Sequence, residues 1–393
     1  MAGTSRTQTS VVALMAVFGL GICFVIVGAI SEEYKAALGL SNADLGNLTL
    51  ALFLTSAIVQ LIIGPMVDKF GYKPLAIGGF LVTAASMVML RAASSATMAM
   101  GACVLMGVGA MCLNSVGNTL IPVVLFGGKD PARASNFGNA FFGLGLVVTP
   151  LLFTLINWQV GLYLLGGLFL VGLAAAATTQ FPRVATGYEF SMAFKLLGKP
   201  AVIVAALALF CYISLEISMS TWSKPYMTEL FGGAANPGAV ARAGLILSLF
   251  GVAMMVGRFI TSTVKNLTTI GVRLIGAASL VATGTLLVMV LTSSPAVAIA
   301  AVVLTGLVFA PIFPTIVGVT FAKFEPRLYG SIFGIIFSCG LLGATFVPKI
   351  VGNLSAGATV QQSLLIVFAM AVALFVIALF LGVGSQKAGQ KAD

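Results

Sequence analysis

Phe210 to Glu229 reads FCYISLEISMSTWSKPYMTE and sets an ionisable side chain, Glu216, inside a run otherwise apolar enough to cross a membrane. A charge at the bilayer centre costs about 2.5–3.5 kcal/mol on insertion scales, so such residues face a bundle interior or an aqueous cavity. With entry near Lys199, a rise of about 1.5 Å per residue carries Glu216 about 25 Å along the helix, into the outer half of a hydrocarbon core about 30 Å thick. Tyr212, Ser220 and Ser223 stand four before, four after and seven after it, on the same helical face. Glu216 is therefore the first candidate for a coupling or binding group.

The rest of the chain supports a membrane setting. Hydrophobic residues make up 60% of it, charged ones 8%, and the mean hydropathy is +1.13; a soluble domain carries about a quarter charged residues. The other nine acids lie at the ends of apolar runs or between them. The net charge of +10 comes from basic residues scattered singly between those runs, so topology explains it better than a nucleic-acid partner. Histidine is absent, which removes His-based acid–base catalysis, His metal ligation and Ser-His triads together. The five cysteines fall in apolar runs without CxxC spacing and read as small buried hydrophobes. No enzyme activity, metal or cofactor is expected.

Twelve apolar runs are long enough to span: 11–30, 43–67, 74–92, 96–126, 133–156, 159–180, 200–228, 240–263, 271–291, 296–322, 328–350 and 360–383. The first is followed by more spans and is read as a transmembrane helix rather than a cleaved leader. Fifteen of the twenty Lys and Arg then fall on the side of the N-terminus, which the positive-inside rule makes cytoplasmic. Both termini are expected in the cytoplasm and the chain in the inner (plasma) membrane, as a monomer. The charged break FPRVATGYEFSMAFKLLGKP, 181–200, divides the spans evenly. The expected organisation is a bundle over 1–182, a linker over 183–199 and a second bundle over 200–393. Two such halves related by an axis along the membrane normal are a transporter plan.

Several polar groups interrupt the apolar runs. Asn114 and Asn118 lie four apart in the fourth, and Asn136, Asn139 and Gly143 form a stripe in the fifth. Their amides suit a hydroxyl-rich ligand or hydrogen bonds between helices. Trp222 suits either a sugar face or the interfacial aromatic belt. Lys224 is expected to snorkel. The scarcity of basic residues inside the runs argues against an anionic solute.

Between the second and third runs stands GPMVDKFGYKP, Gly64 to Pro74. By spacing alone it reads equally as a tight basic turn, with Lys69 and Lys73 holding it in the cytoplasm. It also resembles the signature loop of the major facilitator superfamily, with Gly64, Asp68, Lys69 and Gly71 at the family's offsets and Lys73 close by, while Met66 and Tyr72 depart from it. The resemblance assigns these residues to gating, and Arg258, in Gly257-Arg258-Phe259 after the eighth span, to the corresponding loop. Arg258 reads equally as a cytoplasmic anchor.

The stretches Gly109–Pro122, Asn136–Pro150, Phe210-Cys211-Tyr212 followed by Glu216, and Gly306–Thr315 together resemble the fucose:proton symporter family within that superfamily. That resemblance implies an all-α membrane fold of twelve transmembrane helices in two six-helix bundles, a small-molecule substrate such as a sugar, and proton or sodium coupling. Its implied sugar site comprises Asn114, Asn118, Asn139 and Glu216, to which the residue pattern adds Asn136, Tyr212, Ser220 and Trp222. Gly28 stands where the fucose branch has an acid.

Overall fold

A computed structural model describes residues 3–128, 131–182, 195–236, 238–264, 267–324 and 328–381. Among these the chain is helical without strands, and twelve helical segments are long and apolar enough to cross a membrane. The first seven helices are α1 (Gly3–Ala29), the short α2 (Ser31–Leu38), α3 (Asn42–Phe70), α4 (Tyr72–Ala92), α5 (Ala96–Val124), α6 (Pro131–Leu155) and α7 (Trp158–Thr178). The remainder are α8 (Pro200–Leu230), α9 (Ala239–Ser262), α10 (Leu267–Leu291), α11 (Pro295–Phe309), α12 (Ile312–Phe321), α13 (Tyr329–Leu354), α14 (Val360–Ser363) and α15 (Leu365–Ala378). Most of the expected 183–199 linker lies outside the described residues.

Local chemistry sets the boundaries. Ser41 opens α3 with a capping box: its Oγ accepts from the Asp44 N–H at 3.2 Å, and the Asp44 carboxylate accepts from the Ser41 N–H at 2.9 Å. This reciprocal pairing satisfies two donors the helix would otherwise orphan. Gly71, at φ +77, turns the chain from α3 into α4; that backbone region suits a residue without a Cβ. Pro200 and Pro295 each start a helix at its first turn, where a missing N–H costs nothing. The tenth span is broken at Ala310-Pro311 into α11 and α12, as expected where proline removes a backbone donor and crowds the preceding turn.

The two sets of six spans meet along three helix pairs: α1 with α8, α3 with α13, and α6 with α9. Small residues permit the approach. A Cβ built on Gly28 would fall 1.9 Å from the Ser220 carbonyl oxygen of α8, so no larger residue fits between these backbones as they stand. Ser220, expected to face a ligand, is instead buried in this α1–α8 contact.

The end of the bundle opposite the termini is held shut by polar contacts between the halves. Lys224 of α8, expected to snorkel, is 2% exposed. Its Nζ donates to Glu33 Oε1 and Oε2 of α2 at 2.7 and 2.5 Å and to the Ala29 carbonyl at 2.6 Å. Asn42 Nδ2 donates to the Ser355 carbonyl at 3.3 Å, and Lys349 Nζ to the Ala43 carbonyl at 3.2 Å. An ammonium withdrawn from lipid and water needs a partner more than a snorkelling route, and Glu33 supplies it.

Candidate functional site

Midway along the bundle, residues from both halves line a cavity of about 30 Å³. Its polar lining is Asn114 and Asn118 from α5, Asn139 from α6, Glu216 from α8 and Arg258 from α9. Phe24, Phe142, Phe313 and Phe337 supply aromatic walls. α8 runs to Leu230, further than the sequence suggests, so Glu216 lies about 24 Å from its start and about 21 Å from its end, near mid-depth rather than in the outer half.

Glu216 is not alone. Arg258 Nη2 donates to its Oε1 at 3.1 Å, with the two side chains 2% and 7% exposed. Arg258 Nη1 donates across to the Asn139 carbonyl at 3.3 Å, and the guanidinium carbon lies 4.9 Å from the Phe142 ring centroid. A cation from one half thus rests on an aromatic face and a carbonyl of the other. The family resemblance put Arg258 in an end loop, but it stands four residues before the end of α9 and its side chain is buried between the halves. Lys224 and Arg258 together overturn the argument that buried basic groups are too scarce for an anionic solute.

The amides form a chain. Asn118 Nδ2 donates to Asn114 Oδ1 at 2.7 Å, and Asn114 Nδ2 donates to Gln60 Oε1 at 3.1 Å. Gln60, on α3 and 6% exposed, was not singled out from sequence; an isolated Gln in an apolar run was the available signal. Asn114 uses both its amide atoms in this chain, whereas Asn118 uses only its Nδ2 and keeps its Oδ1 outside it.

Tyr212 is fully buried one turn from Glu216, packed against Phe309 and Phe313 at ring separations of 5.9 and 6.4 Å. It stands near enough to interact with both Glu216 and Arg258. Trp222 leaves the group: its Nε1 donates to the Pro348 carbonyl at 3.1 Å, and its ring abuts Gly352. It is neither a ligand platform in this conformation nor part of an interfacial belt. The Asn136 side chain lies outside the described residues.

The loop with Gly64, Asp68, Lys69, Gly71 and Lys73 forms the α3–α4 turn, at the end of α3 remote from Asn42. Lys69 and Lys73 are exposed and Gly64 is buried; the Asp68 side chain lies outside the described residues. Among the described residues, no three His, Cys, Asp or Glu side chains gather as metal ligands.

Comparison with known proteins agrees with this architecture. Curated relatives include the protein TsgA homologue of Serratia proteamaculans, 22% identical over 314 residues covering 77% of each chain. That of Yersinia pseudotuberculosis is 24% identical over 279 residues, covering 68% of each. The nucleoside transporter NupG superposes with a TM-score of 0.74 at 14% identity, covering 96% of this chain and 99% of that one. The E. coli fucose:proton symporter FucP gives 0.65 at 18%, covering 96% and 98%. At such identities the solved structures establish the fold. Residues 9–348 match the family described as the Major Facilitator Superfamily, and the chain therefore belongs to that superfamily of membrane transporters.

Proposed function

We propose that this transporter carries a small hydroxyl-rich solute, a monosaccharide first, by alternating access between its halves, with Glu216 as the proton-coupling group. The observation that carries this reading is the meeting of Glu216, Arg258 and the Asn118–Asn114–Gln60 chain at one cavity between the halves. A ligand there touches elements that must move relative to one another. Its binding and the state of the bundle are therefore linked.

The cavity of about 30 Å³ has room for about two waters, whereas small-molecule sites run to several hundred Å³. Admitting a solute requires the halves to part, and the closed end opposite the termini leaves the termini side as the route of opening in this state. The positive-inside bias makes that side cytoplasmic. Moving Arg258 and Lys224 to the interior removes one residue from each side of the count, and fourteen to four remain. Gly64, Asp68, Lys69, Gly71 and Lys73 then gate the cytoplasmic end. The inner membrane and action as a monomer belong to the same reading.

Proton coupling follows from electrostatics. Ionised, Glu216 holds Arg258; neutral, it loses the charge attraction and frees the guanidinium. Proton-driven uptake into proteoliposomes tests this. Glu216→Gln is expected to abolish accumulation against a gradient while solute exchange survives, and unchanged accumulation in the variant would remove the proton role. A nucleoside is the second reading, favoured by the four phenylalanines around the cavity, which suit a flat base.

A further inference from the structure

Arg258 is under-used for a buried guanidinium. It carries five N–H donors, and a carboxylate partner ordinarily engages two of them as a fork. Here Glu216 takes one bond at 3.1 Å and the Asn139 carbonyl one at 3.3 Å, while the buried Nε–H has no partner. An unpaired buried donor on a charged group is costly, and this one belongs to a side chain lining the cavity.

We propose that the carried solute is a hydroxylated monocarboxylate, a sugar acid rather than a neutral sugar, whose carboxylate engages Arg258. This rests on the reading of the cavity as the solute site and narrows the substrate class. The charge balance supports it. With Glu216 ionised the pair is neutral, and an entering carboxylate would leave one uncompensated negative charge beside two buried side chains. With a proton on Glu216 the site holds a single cation, Arg258, and the carboxylate replaces Glu216 as its partner. A neutral sugar arriving with the same proton would leave Arg258 without an anion. The proton and the monoanion therefore enter together, with no net charge moved and no bond made other than O–H on Glu216.

The surroundings of Glu216 fit this exchange. Arg258 faces it from α9 and Tyr212 from its own helix. The cavity walls contributed by α1, α5, α6, α12 and α13 are apolar or amide side chains. No second acid among those lining residues competes for the guanidinium or the proton. Asn118, on the same cavity wall, is placed to meet the solute's hydroxyls.

The test compares D-glucuronate and D-galacturonate with D-glucose and D-galactose, using the full chain in detergent for thermal stability and in proteoliposomes for uptake. The uronates are expected to stabilise the protein at concentrations at least ten-fold below the hexoses, more strongly at lower pH. Uptake should proceed with one proton per uronate and be indifferent to an imposed membrane potential. Arg258→Lys, which keeps the charge and loses the fork, is expected to weaken uronate binding about ten-fold or more; Arg258→Gln should erase the preference for uronates. Hexoses binding as well as or better than uronates would overturn the carboxylate assignment and leave the sugar reading standing. Failure of all four would overturn both that reading and this inference.

Discussion

Glu33→Gln should loosen the closed end of the bundle, and the structure sets the size of the effect. Lys224 is 2% exposed, and both oxygens of the Glu33 carboxylate accept from its ammonium, leaving the Ala29 carbonyl as its other partner. Removing only the anion strands a buried cation, which for a fully buried pair costs about 3–5 kcal/mol. Glu33 is 20% exposed on its side chain, so water screens part of the loss; charge-assisted bonds of this kind carry about 1.5–3 kcal/mol. The equilibrium between closed and open at this end should shift about 10- to 150-fold toward open. Lys224→Met with Glu33→Gln removes both charges and should recover much of the closed population, because no buried ion is left behind. Electron–electron distances between spin labels at Ala37 and Ala358, exposed positions in the two halves, report the population directly. A Glu33→Gln distribution identical to that of the wild type, or a double variant more open than the single one, would refute the latch.

Other consequences follow from packing. Gly28→Ala places a methyl group against the Ser220 carbonyl and the Thr221 Cα; the overpacking should cost about 1–3 kcal/mol, read as a lower melting temperature in detergent and a more open closed end. Trp222→Phe removes the bond from Nε1 to the Pro348 carbonyl, about 0.5–1.5 kcal/mol. Melting should fall while solute affinity stays within two-fold, whereas a large affinity loss would return Trp222 to the binding site.

Much of the fold was legible because its signals are local. Each span is set by the residues of its own apolar run. The i,i+4 spacing of Asn114 and Asn118 put them on one helical face, and there they are hydrogen-bonded to each other rather than only between helices. What the sequence did not disclose were partners distant along the chain. Arg258 is 42 residues from Glu216, and Glu33 is 191 from Lys224. Which of many helix faces meet depends on how twelve similar apolar rods pack, and hydropathy carries little information about that. Helix α8 shows the difficulty most clearly. It is buried around nearly its whole circumference, so sharing a face with Glu216 did not bring Ser220 into the cavity. Trp222, on another side, found a carbonyl instead.

The account rests on solute binding between the halves beside Glu216 and Arg258, and the most direct measurement is the concentration dependence of solute-induced thermal stabilisation in wild type and Asn118→Ala. This substitution leaves the ion pair intact and removes an amide lining the cavity. Ligand stabilisation grows with solute concentration over its dissociation constant. The account predicts that a solute stabilising the wild type will require at least ten-fold more to stabilise Asn118→Ala equally. Superimposable curves for the two proteins would contradict it.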